Sequence, residues 1–383
     1  MMKRLLSMLL VLALLPLFAA SAESSGSCGA KLTWVCADGV LTVTGKGPMD
    51  DFGSVQEQPW NQLAGQISRV VIGNGVTTVG GNAFAGCRGL TSVSFPSSMR
   101  IIGSQAFSMT ALKELSLPKN LNQIGRLAFQ NISITELTLP AGLKTLETNA
   151  FNNCKQLVRV EIGAKLTAMH PNPFSGCEAL REITIAEGNP AYRVVDGCIL
   201  DQRNSLLVFS PYGEREAVIP EGTVIIGGDC FAFNRTLERV TVPEGVWRIE
   251  SSAFRVCANL AEVVLPDSLT ELQDCAFQHD TSLKELNLPA GLRQLGREVF
   301  TYSALTRLTV PEGVTLIGDS AFFACADLME IHLPASVTLI EPGAFDRCSE
   351  KLTIWAPKGS YALQFAREHK IRYRAEKNPS GEE

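Results

Sequence analysis

Four histidines and eleven cysteines are the side chains of this sequence best suited to metal binding or nucleophilic chemistry. Such work needs several of them to converge on one point. His170, His279, His332 and His369 fall at unrelated phases of the repeat described below, so the pattern does not gather them. No cysteine and histidine spacing of the zinc type occurs. Ser175-Gly176-Cys177 and Asp196-Gly197-Cys198 set glycine beside a nucleophile, yet the pattern supplies neither with a base. The glycines serve turns, without the lysine of a phosphate-binding loop. The residue types point away from an enzyme, and no catalytic, cofactor-binding or metal-binding residue is expected.

The cysteines are ordered by something other than catalysis. Cys87, Cys154, Cys177, Cys257, Cys325 and Cys348 each stand three residues after a recurring phenylalanine, where other repeats carry Thr110, Ile132, Asn234, Asp280 and Ser303. A column tolerant of small side chains reads as packing, with cysteine as a small buried hydrophobe. Neighbours such as Cys154 and Cys177 would stack at the strand spacing of roughly 4.8 Å, inside bridging range, but side chains in a stacked column run parallel. Free thiols are expected there. Cys28 and Cys36 flank a predicted hairpin near the N-terminus, and either close a small loop by a disulfide or stay free. The odd total leaves at least one thiol unpaired in a monomer.

The elements that hold these columns follow from eleven phenylalanines: Phe84, Phe107, Phe129, Phe151, Phe174, Phe231, Phe254, Phe277, Phe300, Phe322 and Phe345. Successive intervals are 22 or 23 residues, except between Phe174 and Phe231. Units of that length cannot bury their own apolar face, and must stack into a solenoid with one shared core. In each unit a short apolar alternation closed by proline, as in Val93, Phe95 and Pro96, predicts one rung of a parallel ladder. A second short extended segment follows, as at Val314 and Ile317. The Ala-Phe run then makes a tight or 3₁₀-like turn that sends its ring into the core.

Residues 66–355 are read as this solenoid. Residues 23–65 are an N-terminal hairpin cap, in which Leu32 to Cys36 and Val40 to Thr44 pair across an Asp38-Gly39 turn. Residues 356–375 are a C-terminal cap, a helix from Tyr361 to His369 with Ser360 as N-cap and a strand at Ile371 to Tyr373. Residues 376–383 are a disordered tail. The long interval holds one ordinary unit plus an insertion at about 186–216, with strands at Tyr192–Val195, Cys198–Leu200 and Leu206–Phe209. Insertions in solenoids project from one edge, so Tyr192, Arg193 and Tyr212 are candidate partner contacts. Outward strand positions form a second candidate surface, with Glu114, Glu136, Glu182, Glu262, Glu285 and Glu330 interleaved with Arg159, Arg239 and Arg307, beside a hydroxyl column from Ser116 to Thr309. The plain reading of that surface is a solvated sheet face with weak ion pairs; the sharper one is a strip for a cationic protein segment or a glycan.

Residues 1–22 read as a secretory signal, with Lys3 and Arg4, an apolar stretch from Leu5 to Phe18 and Ala20-Ser21-Ala22. No later stretch approaches twenty apolar residues, so membrane insertion is not expected. Cys28 lies too far from the cleavage point for a lipid anchor, and free secretion is the expectation. Formal net charge is -5, and loss of Lys3 and Arg4 takes it to -7, which disfavours nucleic acid as a partner.

With these residues laid out, the chain is similar to the BspA-like class of leucine-rich repeats over nearly the whole mature length. The phrases that carry this are Ala-Phe-x-x-Cys, the run from Leu308 to Gly318, the Gly29 to Gly47 hairpin, Asn189-Pro190 and Lys358-Gly359-Ser360-Tyr361. The resemblance implies a leucine-rich-repeat-type solenoid, β-rich α/β and capped at both ends. It also implies a secreted or surface bacterial protein that adheres to host matrix proteins or other cells. Two function classes follow: a non-enzymatic binding or adhesion module, monomeric, engaging a protein or glycan through the strand face and insertion; or a self-associating component of the cell envelope.

Overall fold

The computed structural model describes residues 24–376. The expected signal segment and residues 377–383 of the expected tail lie outside the described residues. Most units of the array contribute two parallel rungs and a turn; in the units at 112–118 and 283–289 the first rung is not a strand, and that ladder is interrupted there. The first rung is a strand such as Glu136–Thr138, in register with Arg159–Ile162 and then Glu182–Ile185. The second is a two-residue strand such as Thr145–Leu146, paired with Gln123–Ile124 on one side and Ala168–Met169 on the other. Partners are one repeat apart, so a side chain on one rung sits directly over its equivalent on the next.

The phenylalanine turn forms the third side. All eleven rings are buried and fall into two stacks, five in the first half and six in the second, at 4.9–6.0 Å between centroids. Trp60 extends the first stack, 5.1 Å from Phe84. Of the two forms open from the sequence, the tight turn holds. Residues two before and two after every one of these phenylalanines have positive φ, as with Leu127 at 55° and Asn131 at 60° around Phe129. The left-handed residues let every second amide point along the array. Asn82, Phe84 and Gly86 donate to the carbonyls of Ser104, Ala106 and Ser108 on the next rung, each at 2.8 Å.

The cysteine column is packed as expected, and its thiols are free. Five of the six have a further role. The thiols of Cys154, Cys177, Cys257, Cys325 and Cys348 donate to the carbonyls of Phe129, Phe151, Phe231, Phe300 and Phe322, one rung earlier, at 3.0–3.3 Å. The Cys28–Cys36 bridge does not form, and both thiols are free. Strand Ser24–Gly29, not foreseen, pairs with Leu32–Ala37 so that Ser24 lies opposite Cys36. Cys28 is four residues further along, roughly 13 Å by strand rise, beyond bridging reach.

The N-terminal cap supplies the first rung with what a preceding rung would have given. The Phe52 amide, the Trp60 indole and the Gln58 side-chain amide donate to the carbonyls of Gly81, Ala83 and Ala85, at 3.0, 2.8 and 2.9 Å. At the other end helix Tyr361–Glu368 forms with Ser360 accepting from the Leu363 amide. The last strand, Arg372–Glu376, runs one residue into the expected tail.

The insertion does not project. Its strands Tyr192–Val195, Cys198–Asp201 and Leu206–Phe209 form an antiparallel ribbon that stands across the axis as a wall. Alternation along the strands gives it two apolar faces. Ile199, Val208 and Phe209 enter the core of the first half, whereas Cys198, Leu200 and Leu207 enter that of the second. A register shift between Ile199 and Leu200 lets adjacent Val208 and Phe209 both serve the first core. The wall is hydrogen-bonded into the second half, through Leu206 and Leu207 on Ile225 and Ile226. Toward the first half, beyond the Ala186 amide that donates to the Ile162 carbonyl at 2.8 Å where the insertion begins, the contacts described are made by side chains: Asn189 donates to the carbonyls of Gly163 and Leu166, and Phe209 meets Phe174 edge-on at 5.9 Å.

Candidate functional site

Tyr192 and Tyr212, expected as exposed contacts, are each 3% exposed, and the structure overturns that placement. Their hydroxyls occupy gaps in the backbone ladder at the wall. The Tyr192 hydroxyl accepts from the Met169 amide at 2.7 Å and from Arg203, whose guanidinium also holds Asp201. Burial raises both phenol pKa values. Tyr212 sits between the halves. Elsewhere the amide two residues after the phenylalanine donates straight to the next rung, as Asn153 does to Ser175. Here the Gly176 amide donates to the Tyr212 hydroxyl at 2.7 Å, which donates onward to the Ala232 carbonyl at 2.8 Å. One oxygen therefore holds the two rungs apart. Arg193 remains exposed.

Half of the acidic column is neutralised. Arg159, Arg239 and Arg307 bind Glu182, Glu262 and Glu330 one rung on, at 2.8, 2.8 and 3.2 Å. Glu114, Glu136 and Glu285 are exposed and make no ion pair among the described residues. Near the C-terminus the hydroxyl column gives way to His332, Trp355 and Arg374. His332 stacks on Trp355 at 5.6 Å, and its nitrogens contact Glu330 at 2.8 Å and Glu376 at 2.5 Å. The hydrogen bond to His332, then the charge of Arg307, lowers the Glu330 pKa.

The histidines are held by separate neighbours: His170 by Glu147, His279 by Tyr302, His332 by Trp355 and His369 by Phe365. No cluster of three or more His, Cys, Asp or Glu able to hold a metal occurs among the described residues. Burial pushes the Cys87 thiol up to about 12 and the Cys325 thiol to about 11, the opposite of an activated nucleophile.

Sequence reasoning missed the turn edge of the second half. His279 and Tyr302 stack at 4.5 Å, Tyr302 meets Phe323 edge-on at 5.7 Å, and the Arg347 guanidinium lies 5.2 Å from the Phe323 ring. Phe233, with Arg255 over it at 4.7 Å, belongs to the same edge. Tyr302 is 40% exposed. Writing out the positions one and two after each phenylalanine would have shown this ridge. In the first half those positions hold a chain of polar side chains, in which Ser108 donates to Gln130 and Gln130 to Asn152, each at 3.1 Å.

No helix among the described residues is long and apolar enough to cross a membrane. The two rung ladders, the ring stack and the caps define a leucine-rich-repeat solenoid. The pattern described as the BspA type Leucine rich repeat region matches residues 63–192 and 224–352 in 6 copies. The chain belongs to this family, and the stretch between the two matched segments contains most of the wall.

Solved structures show the same fold. A leucine-rich repeat protein from Eubacterium ventriosum superposes with a TM-score of 0.79 at 24% identity, covering 86% of this chain and 95% of that one. The pneumococcal vaccine antigen PcpA gives 0.60 at 19% identity, with 94% and 99% covered. A leucine rich cell surface protein from Faecalibacterium prausnitzii gives 0.53 at 22%, with 90% and 97% covered. No curated protein sequence matches the chain.

Proposed function

We propose that the protein is a secreted or surface-associated, non-enzymatic adhesion module that binds a protein partner through the turn edge of its second half. The observation that carries this is the ridge of Phe233, His279, Tyr302, Phe323 and Arg347. Tyr and Arg are enriched in the residues that dominate protein interfaces. Bulky phenyl and phenol side chains at positive φ are unfavourable for the backbone, and Phe233 and Tyr302 have φ of 64° and 60°. Glu136 on the strand face, and Glu114 and Glu285 on the rungs that form no strand, are secondary contacts, and Arg193 stands at the wall. Surface location is supported by the names of two proteins of like fold, a cell surface protein and a vaccine antigen.

The test is a pull-down of residues 24–376 from host matrix proteins and bacterial wall fractions, repeated with a Tyr302→Asn, Phe323→Ser, Arg347→Ser variant. Capture abolished by the variant supports the reading; capture unchanged overturns it. The rival is self-association. Mass measured against concentration decides it, because dimers that the same variant dissolves would make the ridge a self-interface.

A further inference from the structure

The hydroxyl of Tyr212, standing between the Gly176 amide and the Ala232 carbonyl, opens a recess on the turn edge where the two halves meet. Its volume is about 320 Å³, at the lower end of the range typical of small-molecule sites. It is lined from both sides. The first half contributes the side-chain amides of Gln130, Asn131, Asn152 and Asn153, with Gly176 and the Lys155 and Glu178 pair beyond them; the second contributes Phe233 and Arg235, the cation left without a carboxylate.

Each group has a defined hydrogen-bonding state. Asn153 donates to Asn131, which leaves the Asn131 amide hydrogens and the Asn153 carbonyl available. Lys155 is held by Glu178 at 3.4 Å. The exposed Arg235 makes no side-chain ion pair or hydrogen bond among the described residues. A planar guanidinium in that state matches a carboxylate by two parallel bonds. Unused amide donors and acceptors match vicinal hydroxyls, and the Phe233 ring supplies an apolar surface beside them.

We propose that this recess binds a saccharide bearing a carboxylate, with Arg235 on the carboxylate, Asn131 and Asn153 on ring hydroxyls and Phe233 against the apolar side of the sugar. The site shares Phe233 with the protein-binding ridge, but Arg235, Asn131 and Asn153 lie apart from Tyr302, Phe323 and Arg347, which are further along the second half. A protein that keeps one activity and loses the other is therefore a readable outcome.

The experiment titrates residues 24–376 with 3′-sialyllactose, with a glucuronic acid disaccharide and with neutral lactose, read by calorimetry and by saturation-transfer NMR. At least one acidic sugar is expected to bind saturably, and lactose about tenfold or more weakly, the factor one charge-assisted hydrogen bond carries. Arg235→Gln should remove that preference. Phe233→Asn places at this turn the residue type that Asn131 and Asn153 already show to suit it, and should weaken each acidic sugar that binds while the melting temperature is kept. Absence of saturable binding, equal binding of lactose, or acidic-sugar binding unchanged in both variants overturns the proposal.

Discussion

Two residues after its repeat phenylalanine, the first half places Gly86, Met109, Asn131, Asn153 and Gly176; the second places Phe233, Val256, His279, Tyr302, Ala324 and Arg347, all at positive φ. Glycine and asparagine adopt that conformation readily, whereas aromatic and β-branched residues resist it. The first half thus mostly follows the preference of its backbone, and the second runs against it on the same scaffold. Stacking recovers part of the difference, since His279 and Tyr302 cover each other. The comparison teaches that the turn imposes a conformation and leaves the side chain open, so the edge is where the two halves have diverged in chemistry.

The largest effect expected concerns what keeps the halves separate. Replacing residues 186–216 by a short Gly/Ser link strips Ile199 and Phe209 from one core and Leu200 and Leu207 from the other. Unfolding followed by urea should split into two transitions or lose its folded baseline; a single transition at the original midpoint would show that the wall is dispensable. Next, Phe129→Ala and Phe277→Ala should each lower stability by about 3–5 kcal/mol. Nearly equal losses mean that the halves share one core and differ at the edge, whereas a clear inequality would extend the difference inward.

Tyr212→Phe removes the oxygen bridging Gly176 and Ala232 and leaves a buried donor and acceptor unpaired, at a loss of about 1–3 kcal/mol. Hydrogen exchange at the Gly176 amide should accelerate selectively. The smallest effect is at the edge itself. Tyr302→Asn trades an unfavourable conformer for a tolerated one and loses a stacked ring, so thermal melting should move by less than about 1 kcal/mol. A large loss would make the ridge structural and remove the reason for reading it as a contact surface.

The ring stack, the cysteine column, both caps and all three wall strands were legible because each repeats a period or carries its own turn signal. The role of the insertion was not. A strand apolar on both faces looks the same in sequence whether it projects as a flap or separates two cores, and Tyr192 and Tyr212 look like surface aromatics until the orphaned amides of Met169 and Gly176 are placed beside them. The edge ridge was hidden because its members come from repeats 22 or 23 residues apart, one ring from each. Cys28 and Cys36 misled because nothing in Ser24–Gly29 announces the strand that carries them apart.

The seam between the first half and the wall, held mostly by side chains in the contacts described, also bears on how damage spreads. In a stacked array, opening passes from one rung to its neighbour through the interface they share. An end that frays at Phe345 can unzip through hydrogen-bonded rungs as far as the ribbon and then meets a face already finished with its own apolar lining. Water that enters one compartment has no ladder to follow into the next. Damage that starts at the far terminus therefore meets, before it reaches the first five phenylalanine turns, a bulkhead built from about thirty residues that belong to neither run of repeats.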